Sequence, residues 1–290
     1  MSKRNFVLGS VVALGGAGFL IWALVSAQDP APDSQGIRSI RFGGSNEHPL
    51  HLDLARPPQG EGPFPAVICL HGGGWVGGSR REMKQTIEVL ARRGFVAVAP
   101  DYRTAPGHPW PACLDDVRAA LRWLRDHAGE HNLAVNRIGV VGRNAGGHLA
   151  CLLGATSNGK SNATPECVQA VVSFAGPTDL TAAEVQSEEV LRRNFVPLFG
   201  GLPAEKGDLY RQASPLLYTL STPPPFLLIH GKEDSVVPAR QSLAMAEKIR
   251  SAGGTAQVML LEGEGHVWAG PNLTRAIDTM LTFLDRTLKE

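Results

Sequence analysis

Four segments of this 290-residue chain carry groups suited to one reaction. His71-Gly72-Gly73-Gly74-Trp75 follows the apolar run 66–70 (AVICL). Successive glycines reach backbone conformations that other residues resist, leaving N–H groups free to point at a developing negative charge. Gly142-Arg143-Asn144-Ala145-Gly146-Gly147-His148 follows the apolar run 138–141 and opens a helical pattern. Strand, tight turn and helix are the setting in which a G-x-S-x-G elbow exposes a nucleophile, and both elbow glycines, Gly142 and Gly146, are present. Asn144 stands where that motif has serine. Asn tolerates a positive φ better than most residues, so the turn is expected to form. A carboxamide has no hydroxyl for a base to deprotonate, so the nucleophilic step is expected to suffer.

The acid and the base follow in order. The apolar run 226–230 leads to Gly231-Lys232-Glu233-Asp234, where a carboxylate just past a strand can orient and charge-stabilise an imidazole. Asp234 is the better candidate because Val236-Val237-Pro238 follows closely, and Glu233 is the fallback. The run 256–261 leads to Gly263-Glu264-Gly265-His266, a histidine held on a loop between small residues. Elbow, acid and base, each after a strand, fit acyl transfer. Ser79 and Ser173 also lie near strand ends, but neither stands at an elbow. His48 and His51 read as edge-strand surface residues, since no carboxylate or Cys completes a ligand set at metal spacing. His148, in the first helical turn after the elbow, reads as packed or hydrogen-bonded there. Arg80, Arg81 and Lys84 read as a solvated helix face, with the mouth of the pocket as the alternative place for them.

These groups need a scaffold that brings strand ends together. Candidate strands lie at 38–42, 50–55, 66–70, 95–99, 138–141, 168–174, 226–230 and 256–261. The later ones are continuously apolar, as in parallel strands covered on both faces. Helical stretches fall at about 80–93, 111–127, 146–155, 239–252 and 273–288. The first two strands lack a helix between them and predict an antiparallel edge. The whole predicts a doubly covered, mostly parallel sheet with its ligand site at the carboxyl ends of the strands. A longer excursion, about 176–224 with a helix near 187–196, is long enough to form a lid. No internal repeat or dividing linker interrupts residues 38–290.

Ahead of this region, Lys3 and Arg4 precede an apolar run at 6–25, and Val25-Ser26-Ala27 offers a small-residue cleavage site. The pattern predicts a signal peptide over 1–27, followed by a linker over 28–37. The same run could span a bilayer uncleaved, and Ser2-Lys3-Arg4-Asn5-Phe6 resembles a weakened twin-arginine signal. Export is expected, to the periplasm or the medium, or with residues 6–25 as an anchor. Lys plus Arg number 28 against 27 Asp plus Glu, so a net charge of +1 gives no field to draw nucleic acid or anionic lipid. A small neutral substrate suits that balance. Apolar residues make up 43% of the chain, enough for a core and too many for global disorder. Cys69, Cys113, Cys151 and Cys167 form no C-x-x-C pair, leaving buried free thiols or one or two disulfides.

Taken together, HGGGWVGGS (71–79), DYR (101–103), GRNAGGHLA (142–150), ASPLLY (213–218), PPFLLIHGKEDSVVP (224–238) and GEGHVW (263–268) resemble the α/β-hydrolase superfamily. The resemblance is to bacterial carboxylesterases of the hormone-sensitive-lipase-like and feruloyl or acetyl-xylan (BD-FAE-like) group. It implies an eight-stranded, mostly parallel sheet covered by helices on both faces, with a small lid insertion. It implies Asp234 and His266 as acid and base, and the N–H groups of Gly73, Gly74 and Ala145 as oxyanion donors. No cofactor or metal is needed. With the export signal, it implies short-chain esters as substrates, including acetyl or feruloyl groups on plant polysaccharide.

Asn144 leaves three readings open. The chain is an esterase scaffold whose nucleophile has been substituted, and so is strongly impaired as written. Alternatively it is an exported non-catalytic pseudoenzyme that binds an ester or carbohydrate-linked ligand. Or Asn144 deamidates to a carboxylate nucleophile.

Overall fold

The side chains of Ile68 and Val67, neighbours on one strand, enter different hydrophobic clusters, and this alternation organises the molecule. The computed structural model describes residues 36–157 and 166–290. The apolar run 6–25, its cleavage site and most of the linker lie outside the described residues. Among those described, eight strands form one sheet in the order β1-β2-β4-β3-β5-β6-β7-β8. They are β1 (Ile37–Gly44), β2 (Pro49–Ala55), β3 (Phe64–Leu70), β4 (Val96–Pro100), β5 (Leu133–Arg143), β6 (Ala170–Phe174), β7 (Phe226–Gly231) and β8 (Ala256–Leu261). β1 and β2 are antiparallel to their neighbours, and every pairing from β4 through β8 is parallel. The eight expected strands and the antiparallel edge are all present, with β1 starting one residue early, at the end of the expected linker.

The helices cover both faces. α1 (Lys84–Arg92) and α9 (Gly270–Leu288) pack Ile87, Leu90, Met280 and Phe283 against Val67, Cys69, Val172 and Ile229. On the other face, α2 (Ala112–Asp126), α4 (Ala145–Thr156) and α8 (Arg240–Ser251) pack Leu121, Leu152 and Ile249 against Ile68, Val140 and Leu228. A short α3 (Ala128–His131) leads into β5. α4 is buried along residues 145–155, which suits a helix apolar on every side. No described helix is long and apolar enough to cross a membrane. All four cysteines are buried and none is joined in a disulfide, which decides against the disulfide alternative.

The DYR segment braces this frame. Tyr102 donates its hydroxyl hydrogen to the His71 carbonyl at 2.9 Å and stacks on the His71 ring, with centroids 4.0 Å apart. Arg103 grips Asp116 with two donors at 2.7 and 2.8 Å. Arg80 corrects an expectation: it bridges Asp53 at 2.9 Å and Asp101 at 2.5 Å, with its side chain 17% exposed. The paired carboxylates draw it inward from the solvated face on which it was expected, whereas Lys84 on that face pairs with Glu88.

Between β6 and β7 the chain makes its long excursion. α5 (Glu188–Val190), a π-helical turn (Leu191–Phe195) and α6 (Val196–Phe199) run end to end, so the expected helix at 187–196 extends three residues further. α7 (Pro203–Gln212) was not expected. Only Tyr210 of its residues is buried and Lys206 is non-helical, so α7 carries little apolar periodicity. His148 ties this segment to the core. Trp75 donates to His148 Nδ1 at 3.1 Å, which leaves the hydrogen on Nε2 to be donated to the Ala213 carbonyl at 2.5 Å.

Two outcomes follow from this packing. A Cβ on Gly154 would collide with the Phe226 ring and Val171, so Gly154→Ala is expected to lose about 1–3 kcal/mol to overpacking. That outweighs the gain in helix propensity of about 1 kcal/mol, and the urea midpoint should fall; a rise would contradict this packing. His148 is fully buried, and burial pushes its imidazole down to about 4 from 6.5, against the upward effect of the Ala213 hydrogen bond. Below pH 6.5 the unfolded chain takes up a proton that the folded chain refuses until about pH 4. The stability held by this residue is therefore complete above pH 6.5 and lost as the pH falls, by about 3 kcal/mol in all. Urea midpoints at pH 7 and 4.5 should fall less in His148→Gln than in the parent; equal falls would contradict the assignment.

Candidate active site

Asn144 lies between the end of β5 and the start of α4, with φ 52° and ψ −117°. Side chains resist this conformation, so the surrounding structure must impose it. Two glycines make the turn tight enough. A Cβ on Gly142 would run into the Gly146 carbonyl, and one on Gly146 would run into the carbonyls of Leu70 and His71. The elbow is thus pressed against the end of β3, where the glycine loop begins. Backbone bonds from Asn144 N to the Phe174 carbonyl and from His148 N to the Asn144 carbonyl, both 2.9 Å, fix its apex.

The carboxamide at that apex touches both halves of the expected apparatus. Gly74 N–H, which can only donate, lies 3.1 Å from Asn144 Oδ1. The amide nitrogen therefore faces the other way, and Nδ2 donates to His266 Nε2 at 2.7 Å. With Nε2 accepting, the ring hydrogen sits on Nδ1 and is donated to Asp234 Oδ2 at 2.7 Å. This is the tautomer in which an imidazole can take a proton from a nucleophile at Nε2. Asp234 is the carboxylate in contact with His266; Glu233, the fallback, is exposed.

Asp234 is held by donors on every side. The N–H groups of Val236 and Val237 reach Oδ1 at 2.9 and 2.8 Å. His230 Nε2 lies 3.3 Å from Oδ2 while also meeting the Val237 carbonyl at 2.7 Å. Burial alone would raise this carboxyl. The hydrogen bonds of His230, His266 and Val237, with the charge of His266, hold it well below the usual carboxylate range. It is therefore an anion at neutral pH.

Of the expected oxyanion donors, Gly74 is the one aimed at the Asn144 side chain. Gly73 lines the same cavity, with φ 106° and no room for a Cβ beside Gly77. Ala145 is the first residue of α4, so its N–H has no intrahelical acceptor. The cavity has a volume of about 760 Å³, within the range of small-molecule sites. Val185, Val190 and Phe195 from the excursion form part of its wall, and Val236 and Val267 add apolar surface next to the acid and the base. Asn194, in the π-helical turn, donates to the Gly74 carbonyl at 3.2 Å and so ties the excursion to the glycine loop.

Sequence reasoning brought together Gly73, Gly74, Asn144, Asp234 and His266, and it missed three positions. His230 sits in the apolar run 226–230, where a lone polar residue inside a buried strand was the available signal. Asn194 carried no such signal, because only the fold brings it to the cavity, whereas the signal for Arg143 was its place beside Asn144 in the elbow. Ser173 is fully buried against α4, and Ser79 begins the turn at Arg80–Met83. Neither lines the cavity, so neither replaces the missing hydroxyl. His48 packs against the His108 ring, with centroids 5.4 Å apart, and the described residues contain no cluster of three His, Cys, Asp or Glu able to hold a metal.

With this geometry in view, the similarity to known proteins becomes informative. A family model described as BD-FAE matches residues 52–249. Esterase LipC of Mycobacterium tuberculosis is 34% identical over 218 residues, covering 70% of this chain and 53% of LipC. The chain spans about half the length of the curated relatives it matches. The Thermogutta terrifontis esterase Est2 with butyrate bound has a TM-score of 0.72 at 25% identity, covering 87% of this chain and 94% of that one. A truncated carbohydrate esterase from gut microbiota has a TM-score of 0.75 at 26% identity, covering 91% and 100% of the two chains. The extent of the family match and the shared esterase architecture place this chain in the BD-FAE family, with an α/β-hydrolase fold.

Proposed function

We propose that the chain is a carboxylic-ester hydrolase scaffold for short acyl esters, complete except for its nucleophile and strongly impaired by Asn144. The observation that carries this reading is the continuous line from Asp234 through His266 to the Asn144 amide and on to Gly74 N–H. A hydroxyl at residue 144 would face His266 Nε2, which would take its proton as the oxygen attacked the ester carbonyl. Asp234 would stabilise the resulting imidazolium without itself being protonated. The glycine-loop N–H groups would meet the carbonyl oxygen as its charge developed. His266 would then return the proton to the departing alcohol.

Asn144 obstructs this sequence in two ways. It has no proton that an imidazole can remove, and its amide oxygen already occupies the Gly74 donor that an ester carbonyl would need. Loss of the nucleophile in a serine hydrolase costs about 10⁶-fold in kcat, and about 10³–10⁴ over water survives through the oxyanion site and binding. The apolar walls of the cavity suit a short acyl chain, and butyrate bound to Est2 supports that class. We further propose that the protein acts outside the cytoplasm, as the charged and apolar pattern of residues 1–27 supports, and that residues 176–224 act as a lid over the cavity.

Asn144→Ser should raise hydrolysis of p-nitrophenyl acetate by about 10³-fold or more over the parent. An inert but folded Asn144→Ser protein would contradict the hydrolase reading and favour ligand binding without turnover. Within that background, Asp234→Asn should lower kcat by about 10⁴-fold with little change in KM, since it would present the wrong imidazole tautomer. A change confined to KM would remove Asp234 from its assigned role.

A further inference from the structure

The elbow brings a second side chain into the cavity that no step above employs. Arg143 ends β5 immediately before Asn144 and lines the main cavity together with Gly72 and His266. It also borders a small recess of about 20 Å³ shared with Phe174, His266, Val267 and Trp268. Its Nε stands 3.8 Å from the point where a Cβ on Gly72 would lie, so the side chain runs close beneath the glycine loop.

This cation is poorly matched within the fold. Its side chain is 28% exposed, and among the described residues its ion pair is Glu82 Oε2 at 3.9 Å, beyond hydrogen-bonding distance. Glu82 Oε1 is already engaged by Ser79 N–H at 3.0 Å. Burial pushes the Arg143 guanidinium down from its ordinary value, with Glu82 acting upward. The other charged residues on the cavity wall, Arg193 and Glu189, pair with each other at 3.2 Å. The excess charge facing the cavity is therefore that of Arg143. A guanidinium offers five N–H donors in a planar fork that matches a carboxylate.

We propose that Arg143 is a specificity residue that receives a carboxylate on the alcohol half of the ester, so that the preferred substrates are acidic esters. The choice of half rests on the hydrolase reading. Arg143 and His266 line the main cavity together, and His266 returns the proton to the departing alcohol, whereas Val185, Val190 and Phe195 supply an apolar wall for the acyl chain.

Calorimetry on the chain as it stands tests this without turnover. The probes are 4-acetoxybenzoate and its neutral counterpart 4-acetoxybenzamide, which differ in the charge on the alcohol half. The benzoate should bind about tenfold tighter or better, as expected for a charge-assisted, two-point contact. Arg143→Met should abolish that preference and Arg143→Lys should keep part of it. A ratio of affinities within one variant does not depend on how much of the variant is folded. Equal affinities in the parent, including no binding of either probe, would overturn the proposal, as would a preference that survives Arg143→Met. A preference for monomethyl succinate over methyl succinamate, in the absence of one for the benzoate, would overturn the placement on the alcohol half. Hydrolysis of neutral esters by Asn144→Ser decides the underlying reading separately, since it needs no Arg143 contact.

Discussion

The contact between the elbow and the end of β3 governs everything else in the site. Gly142, Gly146 and the Leu70 and His71 carbonyls approach so closely that none of these backbone segments can move alone. That contact forces residue 144 into a positive φ at the apex of the turn and aligns it with the glycine loop emerging from the neighbouring strand. The side chain of Asn144 meets His266 on one side and Gly74 N–H on the other. Asn satisfies both with a single carboxamide, its oxygen accepting from Gly74 N–H and its nitrogen donating to His266 Nε2.

The groups around the apex are fixed by redundant contacts. Asp234 accepts from two backbone N–H groups and the His266 imidazole, with the His230 ring 3.3 Å away, which leaves its carboxylate little rotational freedom. His266 inherits its orientation from that carboxylate. Trp75, at φ 63° just after the glycines, is anchored through His148 to the Ala213 carbonyl, and Asn194 holds the Gly74 carbonyl from the other side. The glycine loop thus owes its shape to the core helix α4 and to the excursion above it. Such preorganisation matters because donors aimed beforehand need no rearrangement as charge develops.

The sheet was legible because its signal is local. Continuous apolar runs such as AVICL and FLLIH suit strands covered on both faces, and each appears where expected. The elbow, acid and base were legible for a related reason, since each follows a strand end directly and the sheet gathers those ends. What escaped depends on partners far apart in sequence. Arg80 reads as a surface cation until β2 and β4 place Asp53 and Asp101 beside it. Asn194 resembles an ordinary polar residue until the fold brings it to the glycine loop. α7 escaped because only Tyr210 of its residues is buried, leaving no stripe to read.

The central claim is that an intact acyl-transfer apparatus surrounds residue 144 and lacks only a nucleophile. Covalent labelling tests this most directly. An alkyl fluorophosphonate should leave the parent unmodified and give Asn144→Ser a single adduct, which peptide mass spectrometry should locate at residue 144 and which His266→Ala should suppress. An adduct at any other residue, or none in a folded Asn144→Ser protein, would contradict the account.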